Sequence, residues 1–187
     1  MCLIMFTYKK FNRANEYLDE VVNLYETAFP IEERFPMDDL LDFIDQGLMD
    51  FDAIYLEEDF IGITATFENE LGAYLIYFAV KEEHRNKGYG SIIISSLINK
   101  YKNVKPLIIA IESLDKNALD YKLRCRRCNF YTRNGFTYIQ NMYIREYEVT
   151  YDVMASTYFE PSIYMSLMGF INENNPNKEK VVDCYIK

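Results

Sequence analysis

The sequence has one histidine, no tryptophan and no apolar stretch of the roughly 20 residues that a membrane-spanning helix needs. We therefore expect no transmembrane segment. The short apolar start of the chain lacks a basic leader and a small-residue cleavage site, so we interpret it as a first β-strand and not as a signal peptide. Half of the residues are hydrophobic and 16% are aromatic, which predicts a folded domain with a sizeable core.

Cysteine is also scarce, at four residues in 187. Cys125 and Cys128 form a single CxxC pair, whereas a structural zinc site needs further ligands, and His84 is the only histidine. We expect no metal site. The simplest interpretation is two small side chains on a helix, in a protein of the reducing cytoplasm.

The net charge of −9 disfavours a nucleic-acid partner, because phosphate contacts need Lys and Arg. The charge is unevenly distributed. Residues 81–133 hold 12 of the 20 Lys and Arg residues and only five of the 29 acids. A basic segment in an acidic protein suggests a bound small polyanion. The alternative is chance clustering on solvated helix faces.

Hydrophobic periodicity predicts helices and strands in a definite order. Two early helices precede three strands, and short connections make those strands antiparallel. The remaining elements include a helix, a buried strand, a second helix, a hairpin and a last helix. In chain order the predicted elements are a helix capped by Asn15 and stopped by Pro30, a helix over Met37–Ile44 with Gly47 past its end, strands Phe51–Leu56, Phe60–Phe67 and Ala73–Val80, a helix with apolar positions Ile93, Ile94, Leu97, Ile98 and Tyr101, strand Leu107–Ile111, helix Asn117–Phe130, strands Phe136–Ile144 and Tyr147–Met154, and helix Pro161–Ile171.

Strand, helix and strand from Ala73 to Ile111 make a βαβ crossover with parallel strands. The predicted fold class is α+β, with a mixed, mostly antiparallel sheet, a central parallel βαβ crossover and flanking helices. Residues 1–171 are predicted to form a single domain. Residues 172–187 form a polar C-terminal tail, and Val181–Ile186 within it either returns as a strand or trails in solvent.

The segment Arg85–Gly90, with sequence RNKGYG, lies between a strand and a helix. The first N–H groups of a helix have no internal partner and lie at the positive end of the helix dipole. A glycine-containing loop before them lets a phosphate approach. The third glycine of a dinucleotide fingerprint is absent, because Ile93 stands at that position.

Arg-x-x-Gly-x-Gly, after a strand ending in Phe78–Val80, resembles the acyl-CoA pyrophosphate loop of GNAT acetyltransferases. About 35 residues later, Arg126–Phe136 resembles the family's late FY…GF element. The Ala28-Phe29-Pro30 segment, followed by Glu33 and Arg34, resembles the first helix and acceptor-side loop of some bacterial members.

The resemblance implies an N-acetyltransferase that transfers an acetyl group from acetyl-CoA to an amine by direct attack in a ternary complex. The alternative is a non-catalytic acyl-CoA-binding sensor. The acceptor is a small molecule or a protein amine, with no nucleic-acid or membrane partner, and the protein is a monomer or a homodimer.

The resemblance also assigns residues. Tyr131 matches the tyrosine that protonates the departing thiolate, and Glu112 is the candidate base, directly or through water. Glu33 and Arg34 are assigned to the acceptor side, and His84 is interpreted as a loop residue. Asn117 either contacts pantetheine or caps a helix. The predicted cofactor-binding residues are Phe78, Ala79, Val80, Arg85, Asn86, Lys87, Gly88, Tyr89, Gly90, Ser91 and Asn117.

Overall fold

The computed structural model describes residues 5–15, 17–146, 149–175 and 183–186, and its centre is a mixed sheet. Five α-helices flank the eight strands within this part of the chain. The strands are β1 (Thr7–Lys10), β2 (Met49–Leu56), β3 (Asp59–Glu68), β4 (Ala73–Val80), β5 (Leu107–Glu112), β6 (Thr137–Glu146), β7 (Val149–Ala155) and β8 (Asp183–Ile186), and the helices are α1 (Leu18–Ala28), α2 (Met37–Asp45), α3 (Tyr89–Tyr101), α4 (Tyr121–Arg133) and α5 (Pro161–Asn174).

The strand order is β1-β2-β3-β4-β5-β7-β6-β8. Among the described strands, β4 and β5 form the one parallel pair, and the α3 crossover joins them. The predicted fold class is confirmed by this topology. β4 and β5 pair only at Ala73 with Leu107 and at Tyr74 with Ile108. Beyond these positions the two strands separate, so their C-terminal ends leave a gap in the middle of the sheet.

Helices cover both faces of the sheet. One core lies between the sheet and three helices, and it buries Val21 of α1, Leu40 of α2 and Leu167 of α5 completely. Ile94 and Leu97 of α3 belong to a second core, against which α4 also packs. Because β4 and β5 contribute to both cores, the gap between their ends is framed by helices on each side.

Two predicted helix starts were wrong because local side-chain turns compete for the same residues. α1 begins at Leu18, and Asn15 does not cap it, because the Asn15 side chain accepts the backbone N–H of Asn12. α4 begins at Tyr121 and not at Asn117. The backbone N–H of Asn117 donates to Asp115 Oδ1 at 2.9 Å, which forms a turn ahead of the helix.

Other boundaries agree closely with the sequence. β4 has the predicted limits, and Gly47 follows α2 with a left-handed φ of 71°. α5 continues to Asn174, and β8 pairs with β6 inside the segment interpreted as a tail. The strand predicted from Tyr147 begins at Val149 in the described residues, since residues 147–148 lie outside them. No helix in the described ranges is both long and apolar enough to span a bilayer.

Candidate active site

A cavity of about 1070 Å³ opens where β4 and β5 separate. One end, which we call the donor end, is lined by the loop before α3 and by α4. The other end, the acceptor end, is lined by residues 28–36 between α1 and α2, together with parts of β7 and α5. One cavity therefore extends from the loop before α3 to the loop between α1 and α2.

The loop at the donor end is shaped by two left-handed residues. Asn86 has a φ of 62° and Gly88, the N-cap position of α3, a φ of 83°. At Gly88 there is room for a side chain, because an added Cβ would meet nothing within 4 Å. Glycine is needed there because the left-handed backbone would be strained with any other residue. Gly90 differs, because a Cβ would touch the Phe130 ring at 3.4 Å. Alternation of left-handed and other conformations turns successive N–H groups toward one concave side.

Hydrogen bonds show which of these N–H groups are available. Arg85 N donates to Glu82 O at 3.1 Å, and Ser91 N donates to Gly88 O at 3.1 Å. Within the described residues, the N–H groups of residues 86–90 have no partner. Of the N–H groups predicted from Arg85 to Ser91, five consecutive ones are therefore available as donors. They lie in the loop before α3 and in its first two residues, where the helix dipole is positive.

Four arginines line the cavity that these donors border. Arg85, Arg126, Arg127 and Arg133 all line the cavity. Arg85 Nε donates to the Val80 carbonyl at 2.9 Å, which ties the loop to the end of β4. The donor end thus combines free backbone N–H groups with fixed positive charge, which is the donor set that a pyrophosphate requires.

Tyr131 lies on the last turns of α4 and lines the same cavity. Its ring makes edge contacts with Phe130 and Phe136, at centroid distances of 5.1 and 5.5 Å. Burial raises the pKa of the Tyr131 hydroxyl to about 12, although the Arg127 charge opposes the shift. The hydroxyl consequently keeps its proton at neutral pH and can donate it.

Glu112 ends β5 and is 8% exposed at the cavity wall. Its carboxylate accepts a hydrogen bond from Arg127 Nη1 of α4, which forms an ion pair. This pair joins the end of β5 to α4 and fixes the Glu112 side chain beside the gap. Arg127 was not singled out by the sequence as a partner for Glu112.

Three tyrosine hydroxyls hold the acceptor-side loop over the sheet. Tyr77 of β4 donates to the Glu33 carbonyl at 2.9 Å and accepts the Phe35 N–H at 3.0 Å. Tyr25 of α1 donates to the Phe35 carbonyl at 3.1 Å. Tyr151 of β7 donates to Glu33 Oε1 at 3.1 Å. The loop is thus anchored by a helix and by strands on both sides of the gap.

The geometry agrees with the comparison to known families. The model of the acetyltransferase (GNAT) family matches residues 18–136. The chain belongs to the GNAT acetyltransferase family. The matched span runs from α1 past the end of α4, so it contains the donor loop, Glu112 and Tyr131. A search of curated proteins finds no match.

Solved structures of other GNAT proteins share the fold. A GNAT-family protein from Bacteroides thetaiotaomicron has a TM-score of 0.74 and 20% identity, over 89% of this chain and 96% of that one. An aminoglycoside 6'-N-acetyltransferase complexed with coenzyme A has a TM-score of 0.61 and 15% identity, over 80% and 95%. An Arabidopsis thaliana protein in complex with the bisubstrate analogue CoA-Ac-MVNAL has a TM-score of 0.58 and 17% identity, over 82% and 99%.

The cavity of this GNAT chain brings most of the predicted site residues together. Ala79 is buried instead on the core face of β4, and Tyr89 packs against Phe6 and His84. Lys87 and Asn117 are exposed, and Asn117 lies in the turn before α4. The predicted residues that line the cavity are Phe78, Val80, Arg85, Asn86, Gly88, Gly90, Ser91, Glu112, Tyr131, Glu33 and Arg34. His84 also lines it, but it ends a short 3-10 helix (Glu82–His84) and does not lie in a loop as predicted.

Sequence reasoning missed the three tyrosines that hold the acceptor-side loop. Tyr25, Tyr77 and Tyr151 belong to a sequence with 17 tyrosines, and their positions fit a buried core equally well. Tyr77 is indeed 2% exposed. The available signal was the alternation of β4, which places Tyr77 on the face opposite Phe78.

Proposed function

We propose that this GNAT protein transfers the acetyl group of acetyl-CoA to an amine by direct attack in a ternary complex. The observation that carries the proposal is the single cavity that joins the donor loop to the acceptor-side loop. An amine and a thioester bound at its two ends meet beside the gap between β4 and β5. Such positioning is a large part of the catalysis of a two-substrate reaction.

The donor end fits acetyl-CoA. The free N–H groups of residues 86–90 and the guanidinium of Arg85 would hold the pyrophosphate. The unpaired backbone edges of β4 and β5 beyond Tyr74 and Ile108 would hold the pantetheine arm as an added strand. When bound there, acetyl-CoA supplies an activated acetyl thioester.

The acceptor end supports an amine. Glu32, Glu33 and Asp39 line it, and carboxylates attract a cationic group. The relatives of known structure include one that acts on aminoglycosides and one bound to a peptide-bearing bisubstrate analogue. The acceptor amine loses a proton as its nitrogen bonds to the acetyl carbon.

Two side chains would move these protons. We assign Tyr131 as the general acid that donates its proton to the sulfur as the carbon–sulfur bond breaks. We keep Glu112 as the proton acceptor for the amine, directly or through water, because it is the carboxylate at the end of β5 where the strands separate. Its ion pair with Arg127 fixes the side chain at that position.

A non-catalytic acyl-CoA-binding protein is the alternative. The observation that favours it is the same ion pair, because Arg127 already occupies the candidate base. Binding of CoA is expected from both functions. Catalytic turnover is expected only from the acetyltransferase, so a turnover assay distinguishes the two functions.

The test is a turnover assay with acetyl-CoA and a panel of primary amines, with release of free thiol as the signal and mass spectrometry of the product. We expect acetyl transfer to nitrogen for at least one amine. Thermal stabilisation by CoA without release of thiol from any amine would support the alternative. A main product acetylated on oxygen or sulfur would contradict the amine acceptor.

A further inference from the structure

Arg34 has an unusual environment at the acceptor end. Its side chain is only 19% exposed, and its Nε–H is buried with no hydrogen-bond partner in the described residues. The Glu26 carboxylate is 3.9 Å from Nη1, beyond hydrogen-bonding distance, and is itself 57% exposed. The guanidinium also lies 6.0 Å from the centre of the Tyr25 ring. Because Nε is closed to solvent, a group bound in the cavity would reach the exposed part of the guanidinium, at the two Nη atoms, and not Nε.

The backbone around Arg34 is held by hydrogen bonds, in addition to the 3.9 Å ion pair of its side chain with Glu26. Hydrogen bonds from Tyr77 and Tyr25 fix the residues on either side of it, Glu33 and Phe35. Arg34 lines the cavity. A guanidinium that lines a cavity and has no carboxylate within hydrogen-bonding distance of its Nη1 can present its two Nη groups to a planar anion that accepts two hydrogen bonds.

The charges at the acceptor end distinguish a carboxylate from a phosphate as the anion bound by Arg34. Glu32, Glu33 and Asp39 line the same end of the cavity, and Arg34 is the one arginine among residues 28–36. A dianionic phosphate would be repelled by three carboxylates against a single guanidinium. A carboxylate carries one charge and matches the guanidinium fork.

The side chains of Glu33 and Arg34 have different partners. The Glu33 carboxylate is held by Tyr151 of β7, near the gap, whereas the Arg34 side chain lies over Tyr25 of α1. We propose that Arg34 binds a carboxylate of the acceptor, so that the acceptor is a small amino-acid-type molecule that carries both an amine and a carboxylate. This inference rests on the proposed function.

The experiment compares amines that differ only by a carboxylate. Suitable pairs are lysine with 1,5-diaminopentane, ornithine with 1,4-diaminobutane, and phenylalanine with phenethylamine. We expect wild-type kcat/KM to be higher for the amino acid in the best pair. Arg34→Gln should lower kcat/KM for that amino acid about 10- to 100-fold, the range of a charged hydrogen bond, and leave its decarboxylated partner within about twofold.

Two further variants make the comparison specific. Arg34→Lys keeps the charge without the planar fork, so its loss should be intermediate, and it replaces Arg34→Gln if that variant does not fold. Arg13→Gln is the matched control, because Arg13 pairs with Asp38, Asp42 and Asp45 and does not line the cavity. It should change neither member of a pair.

The inference is wrong if the wild type prefers the decarboxylated amines, or if Arg34→Gln lowers both members of a pair equally. If no amine is acetylated, the proposed function fails, and titration of N-acetylglycine into the protein with CoA then decides the inference. Binding that is lost in Arg34→Gln supports the carboxylate site. The absence of binding to the wild type overturns it.

Discussion

Among single residues, Tyr131 has the clearest chemical consequence. Burial raises the pKa of its hydroxyl to about 12, so the neutral acid is the form present at every pH well below that value. The Arg127 charge works in the opposite direction and is the smaller cause. A proton donor of this kind stays loaded between pH 7 and 9, the range in which the thiol of a leaving group titrates.

Tyr131→Phe should lower kcat by roughly 10²- to 10⁴-fold, the usual contribution of a general acid. It keeps the ring contacts with Phe130 and Phe136, so CoA affinity should not change. Steady-state kinetics at pH 7.5 and a CoA titration measure the two effects. Tyr158→Phe is the control, since Tyr158 is 71% exposed and pairs with Glu160. A Tyr131→Phe enzyme within twofold of wild type would assign proton donation to another group or to water.

Residue identity alone could not predict the side-chain pairs of the site. The position of Tyr131 at the cavity could be predicted, because its motif lies within a short stretch of sequence. The Tyr151–Glu33 hydrogen bond joins residues 118 positions apart, and the Arg127–Glu112 pair crosses from α4 to β5. Such pairs depend on how separate elements pack, and no pattern within one element indicates them.

At the level of elements, the donor loop was the most predictable part of the site. Its glycine spacing, the preceding strand and the following helix all lie within residues 73–101. The roles of the glycines were not predictable to the same degree. Gly88 provides a left-handed conformation, whereas Gly90 makes room for the Phe130 ring.

Gly90→Glu should abolish the thermal stabilisation by CoA, because it places bulk and negative charge at the start of α3. Ligand binding at a hundredfold excess over Kd stabilises the native state by about 2.7 kcal/mol, so the wild-type shift is easily measured. The matched control is Gly169→Glu in α5, where an added Cβ meets nothing within 4 Å. A CoA-dependent shift that survives in Gly90→Glu would place the phosphate site elsewhere.

The acceptor-side loop depends on contacts made by other elements. Tyr77→Phe removes two hydrogen bonds to the loop and should lower the free energy of unfolding by about 1–3 kcal/mol. KM for the amine should rise while KM for acetyl-CoA is retained, since the loop lines only the acceptor end. Denaturant unfolding and two-substrate kinetics test both effects.

A control for this variant is Tyr55→Phe, which removes the hydrogen bond from Tyr55 to Glu20 at 2.6 Å away from the loop. It should cost stability without changing either KM. Equal increases in both KM values for Tyr77→Phe would show that Tyr77 supports the whole cavity and not the loop.

For the whole molecule, composition and element order predicted the fold class, but the strand order needed the structure. The sequence pattern indicated a hairpin of β6 and β7, and β7 then pairs with β5. Either strand of this hairpin could pair with β5, because both have the alternating pattern of half-buried strands. Partners such as Glu112 and Tyr151 are selected by long-range pairing.

β4 and β5 are joined by two residue pairs, and the strands on either side of this junction form two antiparallel halves of the sheet. One half contains β1 to β4 and the other contains β5 to β8, and the turn that joins them is exposed, with Val104 at 72%. Fragments 1–103 and 104–187 would each keep the antiparallel pairs of their described strands, and α3 of the first fragment would share a core with β5 of the second. We expect co-expressed fragments to reassemble, and CoA to tighten their complementation, because it would bind across both halves. Fragments that fail to associate at millimolar CoA would show that chain continuity, and not the ligand, holds the halves together.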